Sequence, residues 1–303
     1  MKRMIHGIAL MAVLFLGLPL RAEAARLLVP VGEVIGLQLR HDRVTVVGFE
    51  DTLGDRAKAA GLCVGDEIVT IGDRRIESPE DVRGVLQSCG DSVRVTVSRK
   101  GKSISLQLPV RQTPEGRKLG ICLRQGVAGI GTVTWYDPET KTFGTLGHGV
   151  SAGKDKLLSM KEGSAYEARV LSVVRGKSGN PGQLKGEAGA VCGELLRNTP
   201  QGVFGINPRG WPGEPVPVAA YEDITTGAAR IRATVRGTGS REYSVEILKI
   251  YPEDKSDGRN FLLKVTDPAL LEATGGIVQG MSGSPILQNG KLVGAVTHVC
   301  VNL

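Results

Sequence analysis

The segment Gly280-Met281-Ser282-Gly283-Ser284-Pro285 sets a serine between glycines and ahead of a proline. A serine hydroxyl attacks a carbonyl only when a neighbouring base takes its proton and nearby donors hold the oxyanion. Glycines on both sides let the backbone turn sharply, so the Ser282 hydroxyl would project into a cleft with the Gly280 and Ser282 amides as an oxyanion hole. The same six residues also suit an ordinary turn between strands in a chain with 42 glycines. The presence of a suitable base distinguishes the two.

Of the four histidines, His6 lies in an apolar N-terminal segment and His41, beside Asp42 and Arg43, reads as a surface residue. His298 follows the serine too closely for the usual base. His148, in Thr145-Leu146-Gly147-His148-Gly149-Val150, is flanked by glycines that let its ring sit at a strand end facing a cleft. Alone it would read as a hydrogen-bonded structural residue; paired with the serine motif it is the expected base. Asp223, Asp254 and Asp267 are all available as the acid that orients it, and Asp267, ahead of Pro268, also suits a helix cap or turn.

Other chemistries find little support. Cys63, Cys89, Cys122, Cys192 and Cys300 form no C-x-x-C pair and have no histidine at ligand spacing, so neither a zinc site nor any other metal is expected. Their odd number precludes complete pairing within the chain, and they read as mostly buried thiols. Gly237-Thr238-Gly239 is too short to imply nucleotide binding, and no cofactor is expected. The net charge of +7 is spread through strand-like segments without a basic run, which argues against nucleic acid as a partner.

These groups must be positioned by elements outside the cytoplasm. Lys2 and Arg3 precede an apolar run from Ile8 to Leu20, and Ala22-Glu23-Ala24 supplies a small-x-small cleavage pattern, so residues 1–24 read as a signal peptide or an uncleaved membrane anchor. Beyond Arg26, short β-branched runs alternate with glycine: 44–47, 68–71, 93–97 and 104–108, then 129–135, 168–174, 229–235, 243–250, 261–265 and 292–296. The clearest helix is Ser78 to Ser88, with Ser78 and Asp81 as a capping box and Val82, Val85 and Leu86 as an apolar stripe. A second short helix is expected over Asp55 to Ala60, ending at Gly61. The class is mainly β.

Ala57-Lys58-Ala59-Ala60-Gly61-Leu62-Cys63-Val64-Gly65-Asp66 with Ile68 and Ile71 resembles the corresponding segment of bacterial protease-associated PDZ domains. The resemblance implies a PDZ domain over 31–110, with Ile35, Gly36 and Leu37 receiving a peptide terminus or internal segment as an added strand. A domain that only spaces the catalytic unit from the membrane is the other reading. Residues 111–118, polar with Pro114 and Gly116, read as a linker, and residues 119–303 as the second domain.

The histidine and serine motifs, in that order along the chain, resemble chymotrypsin-like peptidases, which implies a double β-barrel over 119–303. The longer run Thr274-Gly275-Gly276-Ile277-Val278-Gln279-Gly280-Met281-Ser282-Gly283-Ser284-Pro285-Ile286, followed by Gly294-Ala295-Val296-Thr297-His298-Val299, is similar to the stage IV sporulation protein B peptidases of endospore-forming bacteria. That resemblance implies a secreted serine endopeptidase with His148, Asp267 and Ser282 as triad, while Leu292 to Val299 resembles the strand that pairs with substrate backbone beside the primary specificity pocket of chymotrypsin-like enzymes, which implies substrate contacts from Val296, Thr297 and His298. It also implies self-cleavage, with self-association for it, and cleavage of a membrane-anchored regulatory protein between the forespore and mother-cell membranes, which activates intramembrane proteolysis of a sigma-factor precursor. A non-catalytic exported PDZ adaptor is the alternative. Members usually continue beyond the strand that follows the serine, whereas this chain stops at Leu303, so the last barrel edge is expected to be missing.

Overall fold

The computed structural model describes residues 26–151, 157–251 and 259–300. The leader at residues 1–24, His6 and the candidate acid Asp254 lie outside them. Strands dominate, as expected, and among the described residues no helix is long and apolar enough to cross a membrane.

The chain opens with β1 (Leu27–Pro30) and β2 (Val34–Arg40). It then leaves for a self-contained unit: β3 (Val44–Phe49), α1 (Asp51–Ala59), β4 (Glu67–Ile71), β5 (Arg74–Arg75), α2 (Pro79–Gln87), β6 (Ser92–Arg99), β7 (Lys102–Pro109), the hairpin β8 (Arg111–Thr113) and β9 (Gly116–Lys118), and β10 (Ile121–Arg124). The main sheet of this unit runs β10-β3-β4-β6-β7. Its core, from Val44 to Leu119, is closed by Val82, Val85 and Leu86 of α2. The expected capping box is present: Ser78 accepts from the Asp81 amide, and Asp81 accepts from the Ser78 amide. The glycines of the Gly61 to Asp66 segment bend the chain so that Asp66, fully buried, accepts from the Cys63 amide at 2.9 Å and from Arg99 at 2.6 Å. Burial alone would raise the pKa of Asp66, but Arg99 and the Cys63 amide bring it below the usual carboxylate value.

From β10 only Gln125 and Gly126 lead into β11 (Val127–Tyr136), which pairs antiparallel with β2 from Val127↔Leu39 to Thr132↔Val34. The small domain is thus inserted into a hairpin of the larger one. The expectation that Ile35, Gly36 and Leu37 receive a peptide is corrected by this pairing. All three lie in β2, hydrogen-bonded to β11 on one edge and to β13 (Glu162–Val174) on the other, so no edge remains for an added strand. Ile35 and Leu37 fill the core beneath. The polar run 111–118 is a hairpin rather than a linker, with Arg117 donating to the carbonyls of Cys89 and Gly90 beyond α2.

The larger domain continues with β12 (Thr142–Thr145), β13, β14 (Gln183–Thr199) and β15 (Gly202–Ile206). Strands β12, β15, β14, β13, β2 and β11 hydrogen-bond in sequence and return from β11 to β12, a closed ring. Strand β1 adds to β11, and β16 (Val216–Pro217) to β1. The second sheet consists of β17 (Gly227–Ala233), β18 (Arg241–Ile250), β19 (Phe261–Val265), β20 (Pro285–Gln288) and β21 (Lys291–Ala295), in the order β19-β18-β17-β20-β21. No pairing closes it into a second ring among the described residues. Helix α3 (Pro268–Thr274) lies between β19 and the serine segment. The core around Ile231, Ile247, Leu270, Met281 and Ile286 joins this sheet to Val34 and Ala168 of the ring.

Candidate active site

The turn that carries Ser282 is held between the ring and the second sheet. The Gln279 amide donates to Gly182 O at 3.2 Å, and the Leu184 amide donates back to Gln279 O at 2.8 Å. Thr132 in β11 binds twice: its hydroxyl donates to Gly280 O at 2.8 Å and its amide to Ser282 O at 2.9 Å. On the other flank the Gly283 amide donates to Val296 O at 2.7 Å. Met281, fully buried, anchors the turn below. Glycine is required at position 283, where φ is +99° and an added Cβ would sit 2.0 Å from Thr132 O and 2.6 Å from Leu146 N.

Two amides of this turn stand out by hydrogen-bond accounting. Those of Met281, Gly283 and Ser284 reach carbonyls within the protein, whereas those of Gly280 and Ser282 donate to no acceptor among the described residues. They are the pair expected to hold an oxyanion. The Ser282 hydroxyl donates to Thr297 O at 3.1 Å.

His148 leaves β12 through two consecutive residues with positive φ, Leu146 at 69° and Gly147 at 66°. Gly147 sits against the strand that follows Ser282: a Cβ there would lie 2.7 Å from Thr297 Cγ2 and 3.2 Å from Ala295 Cβ. The contacts Gly283 with Leu146 and Gly147 with Thr297 bring the histidine loop and the serine turn together. His148 Nδ1 lies 3.0 Å from Gly149 O. A carbonyl can only accept, so this contact places the proton on Nδ1 and leaves Nε2 as the basic atom. The loop is clamped by Asn198 at the end of β14, which accepts from the Val150 amide at 2.9 Å and donates to Val150 O at 2.8 Å and Leu158 O at 2.9 Å. Neither Asn198 nor Thr132 carried a sequence signal, because each acts from a strand remote in the chain.

Asp267 is the N-cap of α3. Its carboxylate accepts from the Leu270 amide at 3.1 Å and the Ser244 amide at 3.3 Å, and no hydrogen bond joins it to His148. Asp223 forms an exposed ion pair with Lys291 at 2.7 Å. The Val296 side chain is buried, and its amide and carbonyl are engaged by Ser284 and Gly283, so it supports the turn rather than facing substrate. Thr297 receives the Ser282 hydroxyl. His298 is exposed, its ring centroid 5.6 Å from that of His148 and its Nδ1 2.9 Å from Thr297 Oγ1.

The cysteines differ from expectation. Cys63, Cys122 and Cys300 are exposed and only Cys192 is buried, where burial pushes its thiol pKa up; all five are free thiols. For Cys122 the cause is strand parity: it sits on β10 with its side chain on the exposed face. Among the described residues no group of histidine, cysteine and acidic side chains could hold a metal ion.

In the inserted domain, β10 and β7 are the two ends of the main sheet, and β10 is the one that follows an apolar-Gly-apolar turn. The turn before it, Leu119-Gly120, has amides that donate to no acceptor among the described residues, with Gly120 at φ +69° packed against Leu53 and Gly54 of α1. The chain on either side of β10 is tied to the two ends of α2, through Gln125 to Glu77 O before the helix start and through Arg117 of β9 to Cys89 O and Gly90 O beyond its finish. The signal was the apolar-Gly-apolar run Leu119-Gly120-Ile121, which falls at the C-terminal end of the domain instead of its beginning.

The family model described as SpoIVB peptidase S55 matches residues 115–303, and a PDZ domain model matches residues 54–100. The peptidase match therefore excludes β1 and β2, although β2 is needed to close the ring. Among solved structures, the PDZ domain of an SdrC-like protein from Listeria monocytogenes is similar at 23% identity over 27% of this chain and 88% of that one, with a TM-score of 0.24. No curated protein matches the chain.

Proposed function

The chain belongs to the SpoIVB peptidase S55 family and is a serine peptidase of sporulation signalling, and we propose that Ser282 is its nucleophile, His148 its general base and Gly280 N with Ser282 N its oxyanion hole. The observation that carries this reading is the pair of amides on either side of Met281 that donate to no acceptor among the described residues, in a turn packed against the His148 loop. In the first step the Ser282 hydroxyl turns from Thr297 O towards His148 Nε2 and gives up its proton as Oγ attacks the substrate carbonyl. The oxyanion that forms is held by the two amides, and the imidazolium then protonates the leaving amine. Asp267 is proposed as the acid that steadies the imidazolium. A carboxylate has about four acceptor sites, so its two backbone hydrogen bonds leave capacity for His148.

By family resemblance the substrates are the chain itself and a membrane-anchored regulatory protein, met outside the cytoplasmic membrane, in the space between forespore and mother cell. The PDZ domain binds a peptide, and we place it along β10, with a terminal carboxylate at the amides of Leu119 and Gly120.

The test is covalent labelling. A fluorophosphonate should modify Ser282 in the wild type and fail in Ser282→Ala, with labelling greatly slowed in His148→Ala. Removing a triad serine should cost about a millionfold in turnover. Labelling independent of His148, or full self-cleavage by Ser282→Ala, would sink the assignment.

A further inference from the structure

A cavity of about 580 Å³ opens beside Gly280, and neither Thr297 nor His298 lines it. Ile130 of β11 and Leu184 of β14 give it an apolar lining, while Gln183, Lys185 and Gln279 bring polar groups to its mouth. Gly129 contributes open space, with nothing within 4 Å of where a Cβ would be. The cavity is built into the turn: Gln279 and Gln183 are joined by a parallel bridge, so its wall and the oxyanion amide of Gly280 are fixed to one another.

We propose that this cavity is the leaving-group subsite of the peptidase, receiving the first residues after the scissile bond and favouring an acidic side chain through Lys185. The inference rests on the assignment of Ser282 as nucleophile. A substrate carbonyl held by the Gly280 and Ser282 amides has its chain leaving in two directions. On one side stand Thr297 and His298, the segment that the chymotrypsin-like resemblance assigns to the acyl portion. The other direction passes over Gly280 into the cavity. Lys185 forms no ion pair among the described residues, and no acidic side chain lines the cavity, so its charge is available to a substrate carboxylate. Ile130 and Leu184 would cover the methylenes of that side chain.

Acyl transfer reads this subsite without a known protein substrate. p-Nitrophenyl acetate acylates Ser282 with release of p-nitrophenol. The acyl-enzyme is then attacked either by water or by the amine of an added dipeptide amide. In the second case the C–N bond forms as the ester C–O bond breaks, and the amine proton passes through His148 to Ser282 Oγ. By microscopic reversibility the acceptor occupies the leaving-group subsite. The quantity measured is the ratio of transfer to Asp-Ala-amide over Lys-Ala-amide, which is internal to each variant and independent of its absolute rate. The wild type should favour the aspartyl acceptor by about 1.5- to fivefold, the range expected of a partly exposed charge pair. Lys185→Glu should reverse the preference and Lys185→Met should abolish it. Equal transfer to both acceptors by the wild type, or a ratio unmoved in Lys185→Glu, overturns the subsite. A missing burst of p-nitrophenol instead overturns Ser282 as nucleophile.

Discussion

Thr132 and Gly280 are joined by a hydrogen bond of 2.8 Å from the threonine hydroxyl to the glycine carbonyl, so a strand of the ring fixes the peptide plane next to the oxyanion amide. Thr132→Val keeps the shape and removes the donor, leaving the Gly280 carbonyl without its partner. The turn would lose a restraint worth about 1–3 kcal/mol. We expect kcat to fall by roughly tenfold to a hundredfold with KM nearly unchanged, because the oxyanion exists only after attack. Steady-state kinetics on a peptide cut by the wild type would show it. An unchanged kcat would remove Thr132 from the support of the oxyanion hole.

Gly147 and Thr297 couple the two halves of the site. Gly147→Ala would set a Cβ 2.7 Å from Thr297 Cγ2 at a φ of +66° and should slow acylation of Ser282. Thr297→Ser deletes that methyl group, so the double variant should recover part of the loss. A double-mutant cycle on fluorophosphonate labelling rates should give a coupling of about 0.5–3 kcal/mol. Strict additivity would show that the contact does not shape the site.

Asp267 can be tested by separating cap from charge. Asp267→Ser retains a side chain able to cap α3, whereas Asp267→Ala loses it at a cost of about 1 kcal/mol in stability. If Asp267 steadies the His148 imidazolium, both variants should lose activity by roughly ten-thousandfold. Full activity in Asp267→Ser would confine the residue to its cap.

The insertion of the PDZ domain makes a construction possible. Because Leu39 and Val127 are paired neighbours, replacing residues 42–124 by a short turn should leave the ring intact. The shortened protein should unfold cooperatively and still react with a fluorophosphonate at Ser282. Loss of both properties would mean that the inserted domain supports the ring rather than only interrupting it.

Asp137 predicts a pH dependence of stability. Burial would raise the pKa of its carboxyl, but Arg26 at 2.9 Å and the Thr140 and Glu139 amides more than reverse this and hold it at about 2. The folded pKa lies below the unfolded value of about 3.9, so the stabilisation is present above roughly pH 4 and is lost as pH falls towards 2. Discounting for the exposed Arg26 side chain, Asp137→Asn should cost about 1–2 kcal/mol at pH 7. Urea titrations should show the two proteins converging near pH 2; a constant difference across that range would contradict the assignment.

Local chemistry was legible in the chain itself. The 261–265 run is the strand β19, the Ser78 and Asp81 capping box starts α2, and the glycines around Ser282 adopt the tight turn that their type allows, because each depends on near neighbours. Partnership between distant strands was not legible. Val34 to Leu39 alternates as well for a PDZ strand as for a ring strand, and nothing local says that its partners are β11 and β13 or that the whole small domain intervenes. Burial of Val296 and the roles of Thr132 and Asn198 likewise depend on residues remote in the chain, which each of them meets only in the folded protein. Sequence determined which residues could do the chemistry; the register between remote strands, set by which apolar face is buried against which, decided where each of them stands.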